Sequence, residues 1–177
     1  MKKNKGPFVP LNAALITVST RRTRADDSSG DLVQERLEAA GHRVVQRDIL
    51  GEDLDTLRAH LRACIAAADI QVVIANGGTG ITPHDIAPEA LQPLITRPIP
   101  GFGELFRALS YADIGTSTIQ SRAEAAIADG TVIFLLPGST NACRLAMDKI
   151  ILEQLDATTG PCNLVGQLTR VHEAQSQ

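Results

Sequence analysis

Residues 70–80 read IQVVIANGGTG, a short apolar run followed directly by a glycine-rich loop. A continuous run rich in β-branched residues is typical of a strand covered on both faces. Glycines at the end of such a strand let backbone N–H groups turn outward and approach a ligand, because no Cβ interferes. The stretch predicts a buried strand whose closing loop docks an anion or the edge of a flat ring. A plain turn without a ligand is the alternative.

The rest of the chain alternates short strands with helices. Further strands are predicted at residues 13–19, 44–50 and 131–136. Helices are predicted from apolar spacings of three and four, or from stretches without proline: residues 33–40, 54–68, 103–110, 120–128 and 143–151. Such alternation builds right-handed βαβ units. We therefore predict the α/β class, a three-layer α/β/α sandwich with a mostly parallel, Rossmann-like sheet.

Composition limits the domain organisation. The chain has 177 residues, of which 44% are hydrophobic but only 3% aromatic. This suits one domain with a core of aliphatic side chains. With no internal repeat or low-complexity linker, we expect a single domain over residues 11–168, with flexible segments at residues 1–10 and 169–177.

Several partners and compartments are not expected from this sequence. The net charge is −3, and no long basic run is interleaved with aromatics, so nucleic acid is not a predicted partner. No apolar run approaches the roughly 18 residues that span a bilayer, so no membrane partner is predicted. Three cysteines without a Cys-x-x-Cys pair argue against a disulfide framework and a zinc site. Because the apolar stretch after the basic start is too short for a signal peptide, a cytoplasmic location is expected.

Two aspartates follow predicted strands. Asp85 lies just beyond the glycine loop (residues 77–80), and Asp53 lies just beyond the second strand. The carboxyl ends of parallel strands share one edge of the sheet, so both carboxylates can reach the same rim and share a divalent cation. Either aspartate can instead be a helix cap or a surface charge. The loop itself fits neither the Walker pattern nor the dinucleotide fingerprint.

A second anion site is predicted after the fourth strand, where Pro137-Gly138-Ser139-Thr140 opens a helix. The amino end of a helix has free N–H donors and a partial positive charge, so phosphate is the natural ligand. An ordinary N-cap by Ser139 or Thr140 is the alternative, and the two can coexist. Ser121-Arg122 offers further polar groups, although a single arginine is most often a surface ion-pair partner.

Several of these motifs, in this order, resemble one known family. They are Gly77-Gly78-Thr79-Gly80, Asp85 with Pro88-Glu89-Ala90, Pro100-Gly101-Phe102-Gly103-Glu104 and Pro137-Gly138-Ser139. Together they resemble the MoaB/Mog family of molybdenum cofactor biosynthesis proteins over roughly residues 12–165. Residues 114–118, 139–144 and 155–163 resemble its bacterial MoaB branch.

The resemblance implies a function. Active members of the family transfer AMP from Mg-ATP to the terminal phosphate of molybdopterin and release pyrophosphate. Carried over by motif, Asp85 and Asp53 are the catalytic residues that position Mg²⁺ and ATP. The substrate-binding residues implied for molybdopterin are Gly77, Gly78, Thr79, Gly80, Glu89, Ser121, Arg122, Pro137, Gly138, Ser139 and Thr140.

Other functions and partners are also implied by the resemblance. A homo-oligomer, trimer or hexamer, is expected, with other molybdenum cofactor biosynthesis proteins as further partners. This chain has His84 where Mog-like sequences usually have an arginine, which removes one fixed cation from the phosphates. A non-catalytic molybdopterin carrier and an interaction module of cofactor assembly therefore stand beside the adenylyltransferase as alternatives.

Overall fold

The computed structural model describes residues 7–168, which contain one six-stranded sheet; of the segments predicted to be flexible, residues 1–6 and 169–177 lie outside them. The strands are β1 (Asn12–Val18), β2 (Arg43–Leu50), β3 (Val72–Asn76), β4 (Arg97–Pro98), β5 (Glu124–Ala128) and β6 (Thr131–Leu136). Their order is β2-β1-β3-β6-β5-β4. The first four in that order are mutually parallel, whereas β5 is antiparallel to both of its neighbours.

Helices cover both faces of the sheet. They are α1 (Ser28–Ala39), α2 (Leu54–Ala66), α3 (Ala87–Leu91), α4 (Pro100–Ile114), α5 (Thr140–Ala146) and α6 (Leu152–Gln154), with a π-helical turn (Met147–Ile151) joining the last two. Helices α1, α4 and α5 pack on one face, and α2 and α3 on the other. The predicted class, an α/β/α sandwich with a mostly parallel sheet, is confirmed.

The core follows the pleat of the strands. In β1, Leu15 belongs to the apolar cluster under α1, α4 and α5, whereas its neighbours Ala14 and Ile16 belong to the cluster under α2 and α3. All residues of β3 and β6 are buried, as their continuous apolar runs predicted. Burying one large aliphatic side chain contributes about 1.5–3 kcal/mol, so these two central strands anchor the fold.

One predicted helix is wrong. Residues 120–128 were expected to be helical, but a 3₁₀ helix (Gly115–Gln120) ends there and β5 follows. A two-residue turn explains the change: Asp129 and Gly130 have φ of 44° and 79°, as a type I′ hairpin requires. This turn pairs β5 with β6 from Ala128↔Thr131 to Glu124↔Leu135. The start of β5 therefore lies at the same edge of the sheet as the carboxyl ends of β3 and β6.

Two further expectations concern cysteines and membranes. All three cysteines are free thiols: Cys64 and Cys143 are buried, and Cys162 is exposed. No disulfide therefore joins any two of them within residues 7–168. Within residues 7–168, no helix combines the length and apolar character that crossing a membrane requires.

Candidate functional site

The turns after β3 and β6 lie side by side. These strands are paired to their ends, Asn76 opposite Leu136, and the Gly77 N–H donates to the Leu136 carbonyl at 2.9 Å. A Cβ on Gly138 would lie 3.4 Å from the Cα of Gly77. The backbone of the glycine loop thus touches the turn that opens α5, and the two predicted anion sites form one continuous rim.

Gly77 is also in contact with the end of β1. Its φ is +103°, and a Cβ there would lie 2.3 Å from the Val18 carbonyl oxygen. No residue other than glycine fits this position without moving the strand. The ends of β1, β3 and β6 therefore meet at a single glycine.

A buried polar network lies beneath this junction, and sequence reasoning missed it. Asp27 caps α1 by accepting from the Gly30 N–H, and its Oδ2 accepts from Thr17 Oγ1 and Arg47 Nη2, both at 2.8 Å. Thr17 Oγ1 also contacts Asn76 Oδ1 at 3.2 Å. All these side chains are buried. They connect the start of α1 to the last residue of β3.

Asp27 is ionised in this setting. Burial raises its pKa, but hydrogen bonds from Arg47, Thr17 and Gly30 and the charge of Arg47 lower it more, so its pKa lies below the ordinary value. A buried carboxylate left without these partners would be strongly destabilising. The only sequence signal was the cluster of capping residues from Asp26 to Ser29, which indicated a helix start and not a buried ion pair.

The start of α5 presents hydroxyl groups and a cation. Ser139 caps the helix, because its Oγ accepts from the Ala142 N–H at 3.3 Å. The hydroxyls of Thr140 and Ser28 lie 3.0 Å apart, and Arg22 Nη1 donates to Ser28 Oγ at 3.3 Å. The cap predicted at Ser139 is confirmed, while phosphate binding there stays a prediction. Arg22, in the loop after β1, is a candidate that the sequence analysis did not select.

On the other side of the glycine loop, Asp85 closes its own turn. Its Oδ2 accepts from the Thr82 N–H at 2.9 Å and from Thr82 Oγ1 at 2.7 Å. Partial burial raises the pKa of Asp85, but hydrogen bonds from Thr82 and Gly80 and the charge of Arg122 outweigh it, so the pKa lies below the usual value. The carboxylate is therefore charged at neutral pH and fixed close to Gly80.

Arg122 contacts this loop and pairs with Glu89. Arg122 Nε donates to the Gly80 carbonyl and Nη2 to the Asp85 carbonyl, both at 2.6 Å, and Nη1 pairs with the carboxylate of Glu89. Ser121 points elsewhere: its Oγ accepts from the Ala123 N–H. The structure thus places Arg122 beside the loop and pairs it with Glu89, while substrate binding by either side chain stays a prediction.

Asp53 occupies the alternative role considered for it. It caps α2, since its Oδ1 accepts from the Thr56 N–H at 2.8 Å. The loops after β2 and β3 still approach each other, because His84 Nδ1 lies 3.6 Å from Glu52 Oε2. Among residues 7–168, no group of three or more His, Cys, Asp or Glu side chains is placed to hold a metal. Mg²⁺ commonly binds one or two carboxylates and completes its shell with substrate phosphates, and Asp85 offers one such carboxylate beside the loop, so the Mg²⁺ site stays a prediction.

Two clefts lie near the glycine loop: one between α4 and α5, which includes Ser139, and one directly after the loop, from Ile81 onward. The α5 cleft has a volume of about 530 Å³ and is lined by Ser110, Asp113, Ser139, Asn141, Arg144 and Lys149, among others. The Asp85 cleft has a volume of about 480 Å³ and is lined by Ile81, Thr82, Asp85, Ile86, Glu89 and Arg122, among others. Both volumes are in the range of small-molecule sites, roughly 300–1,000 Å³. The glycine loop contacts Gly138 at one end and Asp85 at the other.

Comparison with known proteins gives the family. Residues 14–157 match the family described as "Probable molybdopterin binding domain", a range that includes both clefts. The chain belongs to this family. Molybdenum cofactor biosynthesis protein B of Escherichia coli K12 is 53% identical over 156 residues, 88% of this chain and 92% of that protein.

Solved structures place the chain in the MoaB branch. A crystal structure of molybdenum cofactor biosynthesis protein B superposes with a TM-score of 0.81 at 37% identity, covering 96% of this chain and 98% of the other. The tungsten cofactor synthesizing protein MoaB of Pyrococcus furiosus superposes with a TM-score of 0.73 at 35% identity, covering 80% and 90%. The family predicted from the motifs, with its bacterial MoaB branch, is confirmed.

Proposed function

We propose that this MoaB-type protein binds molybdopterin, with the terminal phosphate at the start of α5 and the pterin against the glycine loop. The observation that carries the proposal is the contact between Gly77 and Gly138, which joins two turns rich in backbone N–H groups into one rim. Amide groups at such turns bind anions without needing a side-chain cation. Membership of the family supports molybdopterin as the ligand.

Further groups at the start of α5 favour a phosphate there. Helix α5 continues through the π-helical turn into α6, so its amino end carries the partial positive charge of a long helical segment. The hydroxyls of Ser28 and Thr140 and the guanidinium of Arg22 lie beside it. Each is a donor for phosphate oxygens, and Arg22 supplies charge.

We further propose that the bound molybdopterin phosphate is adenylylated by ATP, with release of pyrophosphate. Mg²⁺, when bound, would neutralise the negative charges of ATP and of the molybdopterin phosphate, which must approach one another. On the protein side, Asp85 holds a negative charge at a fixed position in its cleft, and Asp53 and Glu52 lie on the neighbouring loop. The hydrogen bonds from Thr82 fall on Oδ2 of Asp85, and a carboxylate can accept or coordinate through its other oxygen as well.

A non-catalytic carrier is the second candidate. Asp85 accepts hydrogen bonds from Thr82 in its own turn, and His84 stands where Mog-like sequences have an arginine. Both side chains therefore have structural roles that do not involve ATP. The carrier reading expects molybdopterin to bind with the same affinity in the presence and absence of Mg-ATP.

The test is anaerobic incubation of the protein with molybdopterin, ATP and MgCl₂, followed by chromatography of the pterin and measurement of pyrophosphate. Adenylylation predicts both products, and Asp85→Asn should bind molybdopterin but form neither. Asp55→Asn is the control, because Asp55 is an exposed aspartate of α2 that pairs only with Arg58 among the ion pairs of residues 7–168.

Three outcomes separate the readings. If the unmodified protein binds molybdopterin but forms no product, the non-catalytic carrier function is favoured. Full turnover by Asp85→Asn would remove that residue from the reaction. No binding of molybdopterin, measured as no rise in melting temperature, would refute both functions, since a ligand specific for the folded state must stabilise it.

We also propose that the protein self-associates through α4, in line with the expected trimer or hexamer. Large apolar side chains on and after this helix are exposed: Leu105, Tyr111, Ile114 and Ile119, at 46%, 60%, 54% and 78%. Exposed large apolar side chains of this kind favour a protein partner, and we propose a second copy of the chain. Light scattering on Tyr111→Glu and on the unmodified protein tests this, and a monomer in both refutes it.

A further inference from the structure

Arg122 donates three hydrogen bonds to the glycine loop and to the turn after it. Its backbone N–H donates to the Thr79 carbonyl at 2.8 Å, and its side chain donates to the carbonyls of Gly80 and Asp85 at 2.6 Å each. The remaining guanidinium nitrogen, Nη1, pairs with Glu89. All three side-chain nitrogens therefore already have protein acceptors.

These contacts tie an exposed segment to the sheet. Residues 81–84 are exposed, and within the segment the turn is held by Asp85 and Thr82 and by the Ala87 N–H, which donates to the Gly78 carbonyl at 2.9 Å. Arg122 lies two residues before β5, whose antiparallel direction brings it to this edge of the sheet. It is thus a rigid attachment point for a loop that otherwise has mainly local support.

We infer that Arg122, oriented by Glu89, is a positioning residue that fixes residues 79–85, and so Asp85, without contacting the ligand. The sequence motif implied that Arg122 and Glu89 bind substrate. Three of the five N–H groups of this guanidinium donate to Gly80, Asp85 and Glu89, so its fork is already oriented toward protein acceptors and not toward a phosphate. The inference concerns the site of the proposed function, and only its ligand-binding part rests on that function.

The first arm of the test needs no ligand. Amide hydrogen exchange is measured in the full chain for Arg122→Met, Arg122→Lys and Glu89→Gln. We expect exchange at the Asp85 and Ala87 amides to rise about tenfold or more in Arg122→Met, since hydrogen bonds from a charged donor are lost. Arg122→Lys keeps the charge with a single nitrogen and should recover part of the protection, and Glu89→Gln should show a smaller rise.

Arg107→Met is the matched control. Arg107 is also a part-buried arginine that donates to backbone carbonyls next to Arg122, at Ser121 and Ala123, but it has no hydrogen bond to the glycine loop among the described residues. Its loss should leave the Asp85 and Ala87 amides unchanged. Equal exchange increases in Arg107→Met and Arg122→Met would overturn the inference, because they would indicate general loosening of the segment. Unchanged exchange in Arg122→Met would overturn it as well.

The second arm separates positioning from direct contact. Molybdopterin affinity is measured for the unmodified protein and for Arg122→Met, which removes the charge, over a range of NaCl concentrations. Positioning predicts weaker binding, by about tenfold, with an unchanged salt dependence, because no charge contact with the ligand is lost. Weaker binding with a reduced salt dependence and normal loop exchange would show direct contact and refute the inference. If molybdopterin does not bind at all, the proposed function fails while the exchange arm still decides the role of Arg122.

Discussion

Replacing Gly77 by alanine tests the junction on which the site depends. At φ of +103°, a side chain costs at least the 1–2 kcal/mol of a left-handed conformation. The new Cβ would lie 2.3 Å from the Val18 carbonyl oxygen, so the end of β1 or β3 must move, at a cost of about 1–3 kcal/mol. We expect the free energy of unfolding to fall by about 3–4 kcal/mol and the melting temperature by roughly 10 °C.

Urea unfolding at a fixed protein concentration measures this loss, with Gly101→Ala as the control. A Cβ at Gly101 meets nothing within 4 Å, and the residue lies in the first turn of α4, where alanine is favoured over glycine. That variant should be unchanged or more stable by up to about 1 kcal/mol. A loss below about 1 kcal/mol in Gly77→Ala, or similar losses in both variants, would refute the account of the junction.

Three other predictions follow from the same region and from the core. In Gly80→Ala the Cβ would lie 2.7 Å from Asp85 Oδ2, so the carboxylate must leave Thr82; any nucleotidyl transfer should be lost while urea unfolding shows a change within about 2 kcal/mol. Asp27→Asn should cost about 3 kcal/mol at pH 7, and because the pKa of Asp27 is lowered in the fold, unfolding curves of variant and parent should converge as pH falls below about 4. Burial lowers the pKa of His42, so stability should fall as pH drops below about 6.5, and His42→Asn should flatten that limb of the stability profile.

The sequence predicts the centre of the sheet well for a physical reason. Strands buried on both faces need continuous apolar runs, and the runs at β1, β3 and β6 stand out from the helices between them, whereas β2 is a half-buried edge strand. The segment that becomes β5 is rich in alanine, which favours helices, and its strand state depends on pairing with β6. That pairing is a tertiary interaction, which helical propensity does not contain.

In the site, too, residues that follow a strand in the sequence could be predicted, whereas those that depend on tertiary contacts could not. The turns at Gly77 and Gly138 were identified because each follows a strand in the sequence, and adjacency of β3 and β6 brings them together. The role of Asp27 was not predicted, because its partners Thr17 and Arg47 come from two different strands and only folding buries them together. The sequence was equally consistent with two roles for Asp53, a helix cap and a metal ligand. In the structure Asp53 is the cap, because it accepts from the Thr56 N–H.

The length of the hairpin turn at Asp129 and Gly130 affects the position of residues at the opposite edge of the sheet. It lies opposite the clefts, about 20 Å along β5 from Arg122 at roughly 3.3 Å per residue. One extra residue there would slide β5 along β6 by one position and turn its side chains over, carrying Arg122 off the loop that it holds. Exposed turns usually absorb insertions without consequence, but in this molecule the length of a remote loop sets the alignment of Asp85.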